Sequence, residues 1–401
     1  MLKDYSVESI IGIHGYNTTT EFDGTGGTIK QQNKDFIVRE IPPSGKPIFD
    51  GSEIGEDLGG LFVHCVMWKS GFDTFSAIKR LSSLLRIAEK DFGFAGLKDA
   101  AAETYQRISI WNIDIDCIKS VNFPNIRLFH PIRQKFAVKT GDLLGNYFKI
   151  KIRGIRKNWN ESDLEFLNQN FEVKGVLNFY GPQRFGSTRP ILHVVGKLLL
   201  QNRYSEVIDQ YLGAISPLEN ENIVQLRKEY HDTNSYGILM KKFPKSYRIE
   251  RLLLTGLEAR RNSKNIVFSL PKQFLRLAIS AYQSYLFNKV LSFLNEAGFS
   301  RSSLKIPLPG YKSESKQTTD EVWEKILSYL EDDELDCQSF YHEQAILRSK
   351  GTLREAISFP THFKCSQLGD KDIEVVFCLP KGSYGTTVIR EIIKNKDLTR
   401  Y

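Results

Sequence analysis

The sequence predicts a mixed α/β domain interrupted by an inserted, mostly helical one. Three observations predict it. β-rich stretches fill the first part of the chain, helical spacing dominates from about residue 190, and β character returns near Phe363. A chain of 401 residues is too long for one simple core and calls for two domains or more. No internal repeat of solenoid period interrupts this pattern. The shifts in character set the boundaries: 1–190 with 360–401 for a discontinuous domain, and 191–359 for the insertion.

The elements follow in order. TTTEFDGTGGT is a turn-rich loop. Its GTGG lacks the Gly-Lys-Ser/Thr of a phosphate loop, so it is read as feeding a strand. FIVREI (Phe36–Ile41) and LFVHCVMW (Leu61–Trp68) read as strands, the second largely buried. Asp73 or Thr74 caps a helix with Phe75, Ile78, Leu81 and Leu84–Leu85 on its apolar face. That helix delivers the chain into GFAGLKDAAAETYQ (Gly93–Gln106), where glycines 93 and 96 permit a tight backbone approach. Arg107–Ile115 then reads as a strand. Along Tyr147–Arg153, Phe148, Ile150 and Ile152 face one way and Lys149, Lys151 and Arg153 the other. The basic side is either a solvated sheet face or a surface for a polyanion. Ser162 and Glu165 form a capping box for a short helix. Helices follow at Pro271–Gly298 and Asp320–Leu330, then the strand DIEVVFCLP. A turn and a helix in KGSYGTTVIREIIKNKDLTRY close the chain.

Composition narrows the class. With 41% hydrophobic and 25% charged residues the chain is an ordinary soluble globular protein. Its net charge of +8 favours polyanion partners, nucleic acid first. Aromatics at 12%, interleaved with basic residues, suit RNA, whose unstacked bases lie on rings. The five cysteines are scattered without a C-x-x-C, so neither a zinc site nor a disulfide framework is expected, only buried reduced thiols. No apolar run approaches the roughly 20 residues that span a bilayer. The start, MLKDYSVESI, lacks a signal-peptide layout, and the expected location is intracellular, the cytoplasm.

Four islands place polar and aromatic residues in apolar settings: KDFIVRE (Lys34–Glu40), GFAGLKDAAAETYQ, NFYGPQRFG (Asn178–Gly186) and FCLPKGSYGTTVIREI (Phe377–Ile392). Smaller echoes are AYQSYLFN (Ala281–Asn288) and PLPGY (Pro307–Tyr311). In this order they resemble the TruD family of tRNA pseudouridine synthases over nearly the whole chain. GLKDAAAETYQ, NFYGPQRFG and the closing LPKGSYGT with its Arg-Glu carry the match. The opening GIHGYNTTTEFDGTGGTIKQ is similar to archaeal and eukaryotic members, and the lack of long extensions points to an archaeal-like protein.

The resemblance implies an α+β fold. It consists of a pseudouridine synthase catalytic domain, with a mixed, largely antiparallel sheet flanked by helices, and an inserted, mostly helical domain across a cleft. It implies isomerisation of uridine in tRNA, at position 13 in the D-arm, with no cofactor, no metal and no obligate protein partner. By the same resemblance Asp99 is the essential aspartate, and Lys30 is a basic residue near it. Phe36, Asn178 and Tyr384 contact the target base, and Tyr180 stands where the family usually has Phe. Gly385 stands where the family prefers Ala, and Ala100–Ala101 replace charged residues.

The residue types fit such chemistry. A carboxylate serves as nucleophile or base, and an adjacent cation, Lys30 or Arg184, favours its ionised form. Lys98 points to the opposite side of an extended chain. Thr104 and Gln106 read as supports for the motif. Rings at Phe36, Tyr180 and Tyr384 suit a base taken out of its stack, and the Asn178 amide matches a uracil edge. Phe179 reads as core, and Arg390–Glu391 as a structural pair. Gln183 and Arg184 hold either their own loop or a phosphate. Attack at C1′, attack at C6 and removal of the 2′ proton all remain open as first steps for Asp99. Two other readings compete: a non-catalytic RNA-binding or RNA-folding protein on the same fold, and a hydrolase with an aspartyl nucleophile. The second lacks a metal constellation or a paired carboxylate.

Overall fold

The computed structural model describes residues 7–15, 22–156, 161–186, 188–233, 235–298 and 304–394. The Thr18–Thr20 run and the chain after Lys394 lie outside them. Two compact units emerge. Residues within 18–176 and 358–396 form one, and residues within 1–17 and 177–357 form the other. The chain therefore changes unit at 176/177 and 357/358, where the sequence reading drew 190/191 and 359/360. The NFYGPQRFG segment and residues 7–15 cluster with the helical unit.

Among the described residues the strands are β1 (Phe36–Ile41), β2 (Phe62–Ser70), β3 (Phe92–Phe94), β4 (Glu103–Trp111), β5 (Ile126–Gln134) and β6 (Gly145–Arg153). They continue with β7 (Val176–Leu177), β8 (Lys305–Leu308), β9 (Thr352–Glu355), β10 (Ile357–Ser358), β11 (Thr361–Gln367) and β12 (Asp372–Pro380). The first unit is built on an eight-stranded sheet, ordered β11-β12-β6-β1-β4-β2-β5, with β3 also pairing β4. β1 and β4 run parallel and the other pairs of this sheet antiparallel, so the sheet is mixed and largely antiparallel.

Each half of the sheet has its own core. Under β6 and β12, Phe148, Ile150 and Phe377 pack with Val388, Ile389, Ile392 and Ile393 of the Gly385–Ile393 helix. Burial of each such side chain contributes about 1.5–3 kcal/mol. Under β2 and β4, Val63, Cys65 and Met67 pack with Ala77, Ile78 and Leu81 of the Thr74–Leu85 helix, which Asp73 caps through Ser76 N–H at 3.0 Å.

Several local expectations change. Phe75 and Leu84 are exposed rather than on the buried face of their helix, because Ala77 takes the inner position. The strand expected to reach Ile115 ends at Trp111, and Asp114 caps a short helix instead. The Glu161–Val173 helix starts one residue before Ser162, which is therefore no N-cap. The basic side of β6 is compensated: Lys149 pairs with Glu374 at 3.0 Å, Lys151 with Asp372 at 3.3 Å, and Arg153 with Asp35 at 2.7 Å. The five cysteines are free, but only Cys65 and Cys378 are buried, and Cys117 is exposed.

The second unit is mostly helical, and the Lys272–Glu296 helix runs through its core, with Gly298 at positive φ just past its end. Among the described residues β8 and β9 pair antiparallel within it. Gln283 Nε2 donates to Pro309 O at 2.6 Å, so the AYQSYLFN and PLPGY stretches meet. A buried quartet closes on itself nearby: Arg227 pairs with Glu219 and Glu250 at 2.8 and 3.0 Å, and Arg189 pairs with Glu250 at 3.3 Å. Among the described residues no helix is long and apolar enough to cross a membrane. No three His, Cys, Asp or Glu side chains converge there as metal ligands.

Candidate active site

Asp99 lies on the connection between β3 and β4. β1 pairs with Glu103–Tyr105 of β4, and β3 pairs with Ile108–Ile110. The chain at 95–102 therefore leaves the sheet and has no strand ladder of its own. Its main-chain groups need other partners, and side chains supply them. Thr74 Oγ1 accepts from Lys98 N–H at 3.0 Å and donates to Gln106 Oε1 at 3.1 Å. Gln106 Nε2 donates to Gly96 O at 3.3 Å. Gln106 is thus a support, whereas the buried Thr104 hydroxyl has no hydrogen-bond partner among the described residues. A Cβ at Gly93 would collide with the Val138 carbonyl and Ser109 Oγ. At Gly96 the nearest such neighbour is Lys98 Nζ at 3.7 Å, so only Gly93 is demanded by close approach.

The two charged residues of the motif diverge. Lys98 turns inward, 3.4 Å from Glu40 Oε2, and Glu40 also accepts from Arg107 N–H at 3.4 Å. Burial holds the Glu40 carboxyl above the usual carboxylate range, against the pull of Lys98 and Arg107. Asp99 turns outward. Its side chain is 42% exposed, and Lys30 Nζ stands 3.0 Å from Oδ2. Lys30 has a φ of 59°, a left-handed conformation that costs a non-glycine residue about 1–2 kcal/mol and recurs at functional sites. Its loop is fixed on both sides: Thr28 exchanges two main-chain hydrogen bonds of 2.8 Å with Arg153, and Arg153 Nη2 holds Asp35 Oδ1 at 2.7 Å.

Lys30 Nζ also sits 4.5 Å from the ring centroid of Phe36. Phe36 is buried, with its edge on Phe148 at 6.2 Å. Phe148 in turn packs on Gly385, where an added Cβ would come within 2.7 Å of its ring; this is why the chain carries Gly there and not Ala. Tyr384, one residue before, is 38% exposed. A continuous line of contacts thus joins Asp99, Lys30, Phe36 and the Tyr384–Gly385 turn.

The remaining expected residues are together in the helical unit. Asn178 is buried. Its Oδ1 accepts from Arg354 Nη2 at 2.7 Å, and its Nδ2 donates to Glu355 O at 3.0 Å. The Tyr180 ring is only 7% exposed, with its edge on Phe287 and the Arg354 guanidinium 4.0 Å from its centroid. Arg184 donates to Ser284 Oγ at 3.2 Å and to Ser280 Oγ. Its loop reading therefore has structural support. Phe179 is core, and the Arg390–Glu391 pair is buried at 3.4 Å, as the sequence implied.

Four residues of these loops escaped the sequence reading: Lys69, Thr74 as a loop support, Asn288 and Arg354. Lys69 carried a signal. It is in phase with Val63, Cys65 and Met67, so strand alternation aims a lysine at the interior.

The fold is shared with known proteins. A family model described as "tRNA pseudouridine synthase D (TruD)" matches residues 10–304 and 297–392. A protein from Archaeoglobus fulgidus named "Probable tRNA pseudouridine synthase D" is 32% identical, covering 97% of this chain and all of its own length. One of the same kind from Methanocaldococcus jannaschii is 31% identical, covering 93% of this chain and 97% of its own. The crystal structure of the TruD relative from Methanosarcina mazei superposes with a TM-score of 0.78 at 28% identity, over 98% of this chain and 99% of that one. The chain belongs to the tRNA pseudouridine synthase D family.

Proposed function

We propose that this protein isomerises uridine to pseudouridine in tRNA, at uridine 13 of the D-arm, with Asp99 as the reacting carboxylate. The reaction breaks the N1–C1′ bond, turns the uracil and forms C5–C1′; the C5 proton leaves and N1 gains one, with no net redox change. One carboxylate with a fixed cation meets that need. The observation that carries the reading is Asp99 itself: half-exposed, set 3.0 Å from the Lys30 ammonium, on a loop whose main chain is tied down.

In this reading the sheet unit is the catalytic domain and the helical unit is the inserted domain. Tyr384 and Phe36 frame the extruded base. The resemblance adds Asn178, Tyr180 and Arg184, which belong to the helical unit, as substrate contacts. The protein acts on tRNA in the cytoplasm. Binding draws on the chain's net charge of +8.

The test is incubation with unmodified tRNA transcripts and site mapping of pseudouridine, with Asp99→Asn alongside. The wild type is expected to convert position 13, and the variant to lose at least about 10³-fold in rate while still binding RNA. Equal product from both proteins overturns the role of Asp99. No product from a folded wild type favours a protein that binds RNA without altering it.

A further inference from the structure

Lys69 ends the inward face of β2 and is fully buried. Its ammonium has three protons and meets three main-chain carbonyls: Phe72 at 2.6 Å, Asp99 at 3.0 Å and Lys98 at 3.3 Å. Among the described residues no side-chain carboxylate is bonded to it. Buried charges are costly unless paired, and here two of the three partners are peptides of the very loop that carries Asp99. Lys98 is held at its N–H by Thr74 and at its C=O by Lys69, and Asp99 at its C=O by Lys69.

We propose that Lys69 is the positioning residue of this site: its protonated ammonium fixes the Lys98–Asp99 main chain so that the Asp99 carboxylate faces outward, and loss of that proton releases the loop. The inference rests on the reading of Asp99 as the reacting group.

A neutral amine has two N–H donors and a lone pair, so one of the three carbonyls would face a lone pair instead of a proton. The charge state is within reach of ordinary pH. Burial pulls the Lys69 ammonium down from its ordinary 10.5 to about 8; Asp99 and Asp73 oppose this shift, and Lys98 adds to it. Its strand partners Thr104 and Ile126 bring no charge. Two effects of opposite sign follow. Between about 8 and 10.5 the unfolded chain binds more protons at this residue than the folded one, so its contribution to stability improves as pH rises. Activity falls through the same window because the clamp is lost.

The experiment is a pH series of single-turnover rates at saturating tRNA transcript, with RNA affinity measured in parallel, for the wild type and Lys69→Met. The wild-type rate is expected to fall about tenfold per unit above an apparent pKa near 8. Lys69→Met is expected to be about 10²-fold slower at pH 7, flat through that window, and within about threefold in Kd. A wild-type rate that stays level to pH 9.5, or a folded Lys69→Met with the wild-type rate, overturns the proposal; the first of these needs no variant.

Hydrogen exchange at a single pH separates this from the activity itself. Residues 95–102 should exchange at least about tenfold faster in Lys69→Met, with β2 and β4 unchanged. Equal exchange at 95–102 overturns the clamp. An inactive wild type whose loop responds in this way removes the assigned reaction and leaves the clamp standing.

Discussion

The two loops that carry the expected site residues are gripped by different chemistry. In the sheet unit, the Lys69 ammonium holds carbonyls of Phe72, Lys98 and Asp99. In the helical unit, the buried Asn288 amide holds both sides of Tyr180: Oδ1 accepts from its N–H at 2.9 Å, Nδ2 donates to its C=O at 3.0 Å, and Nδ2 also reaches Ile11 O at 2.9 Å. An amide offers donor and acceptor together, needs no counter-charge and does not titrate. An ammonium offers only donors, keeps a buried charge and titrates. The costlier device lies under the loop that bears a carboxylate, where a positive charge has electrostatic use. The Arg189–Glu219–Arg227–Glu250 quartet sharpens the point. Its side chains are nearly as buried as Lys69, but its charges pair among themselves. Burial of charge alone does not mark a site; burial that converges on an exposed titratable group does.

The largest effect expected from breaking this comparison is at Asn288. Asn288→Leu removes three interior hydrogen bonds to the main chain of Tyr180 and Ile11, a loss of about 3 kcal/mol in unfolding free energy. Denaturant titrations at pH 7 and pH 9 should show the same loss at both, since nothing there changes charge. A loss that varied between them would undo the contrast with Lys69.

Next comes Lys30→Met. The variant removes the cation 3.0 Å from the Asp99 carboxylate while the loop clamp stays intact. The expected result is a drop of about 10²-fold in single-turnover rate, with thermal stability nearly unchanged. If the melting temperature fell and the rate did not, Lys30 would belong with the structural charges of the quartet.

The sequence made the open parts of both loops legible. Alternation marked β1 and β6, runs of β-forming residues marked β2 and β12, and the resemblance picked out Asp99 and Lys30, which meet at 3.0 Å. The supports were harder to read, because each acts on a main-chain group distant in sequence: Lys69 on Asp99, Asn288 on Tyr180, Arg354 on Asn178. A side chain that bonds to a carbonyl leaves no pattern of residue types at its target. The division at 176/177 differs from the boundary read in the sequence for a related reason. NFYGPQRFG is tied to the helical unit through Asn288, Arg354 and Ser284, contacts more than ninety residues away that local composition does not reveal.

The smallest effect concerns RNA affinity and leaves both clamps untouched. KKFPKSYR (Lys241–Arg248) carries four cations and no acidic residue, in a chain whose net charge is +8. Lys242 is engaged by Glu229, whereas Lys241 and Lys245 project from the surface of the helical unit. A cation that neutralises a phosphate releases a counterion, so each contact adds about 0.7–0.9 to the slope of log Kobs against log salt. The double variant Lys241→Gln/Lys245→Gln should therefore flatten that slope by about 1.5 and weaken tRNA binding several-fold near 0.1 M salt. The rate at saturating RNA should not change. An unchanged slope would move the RNA contacts off this turn. A fall in the saturated rate would mean that the turn does more than hold the substrate, and would blur the separation between gripping the RNA and positioning the carboxylate.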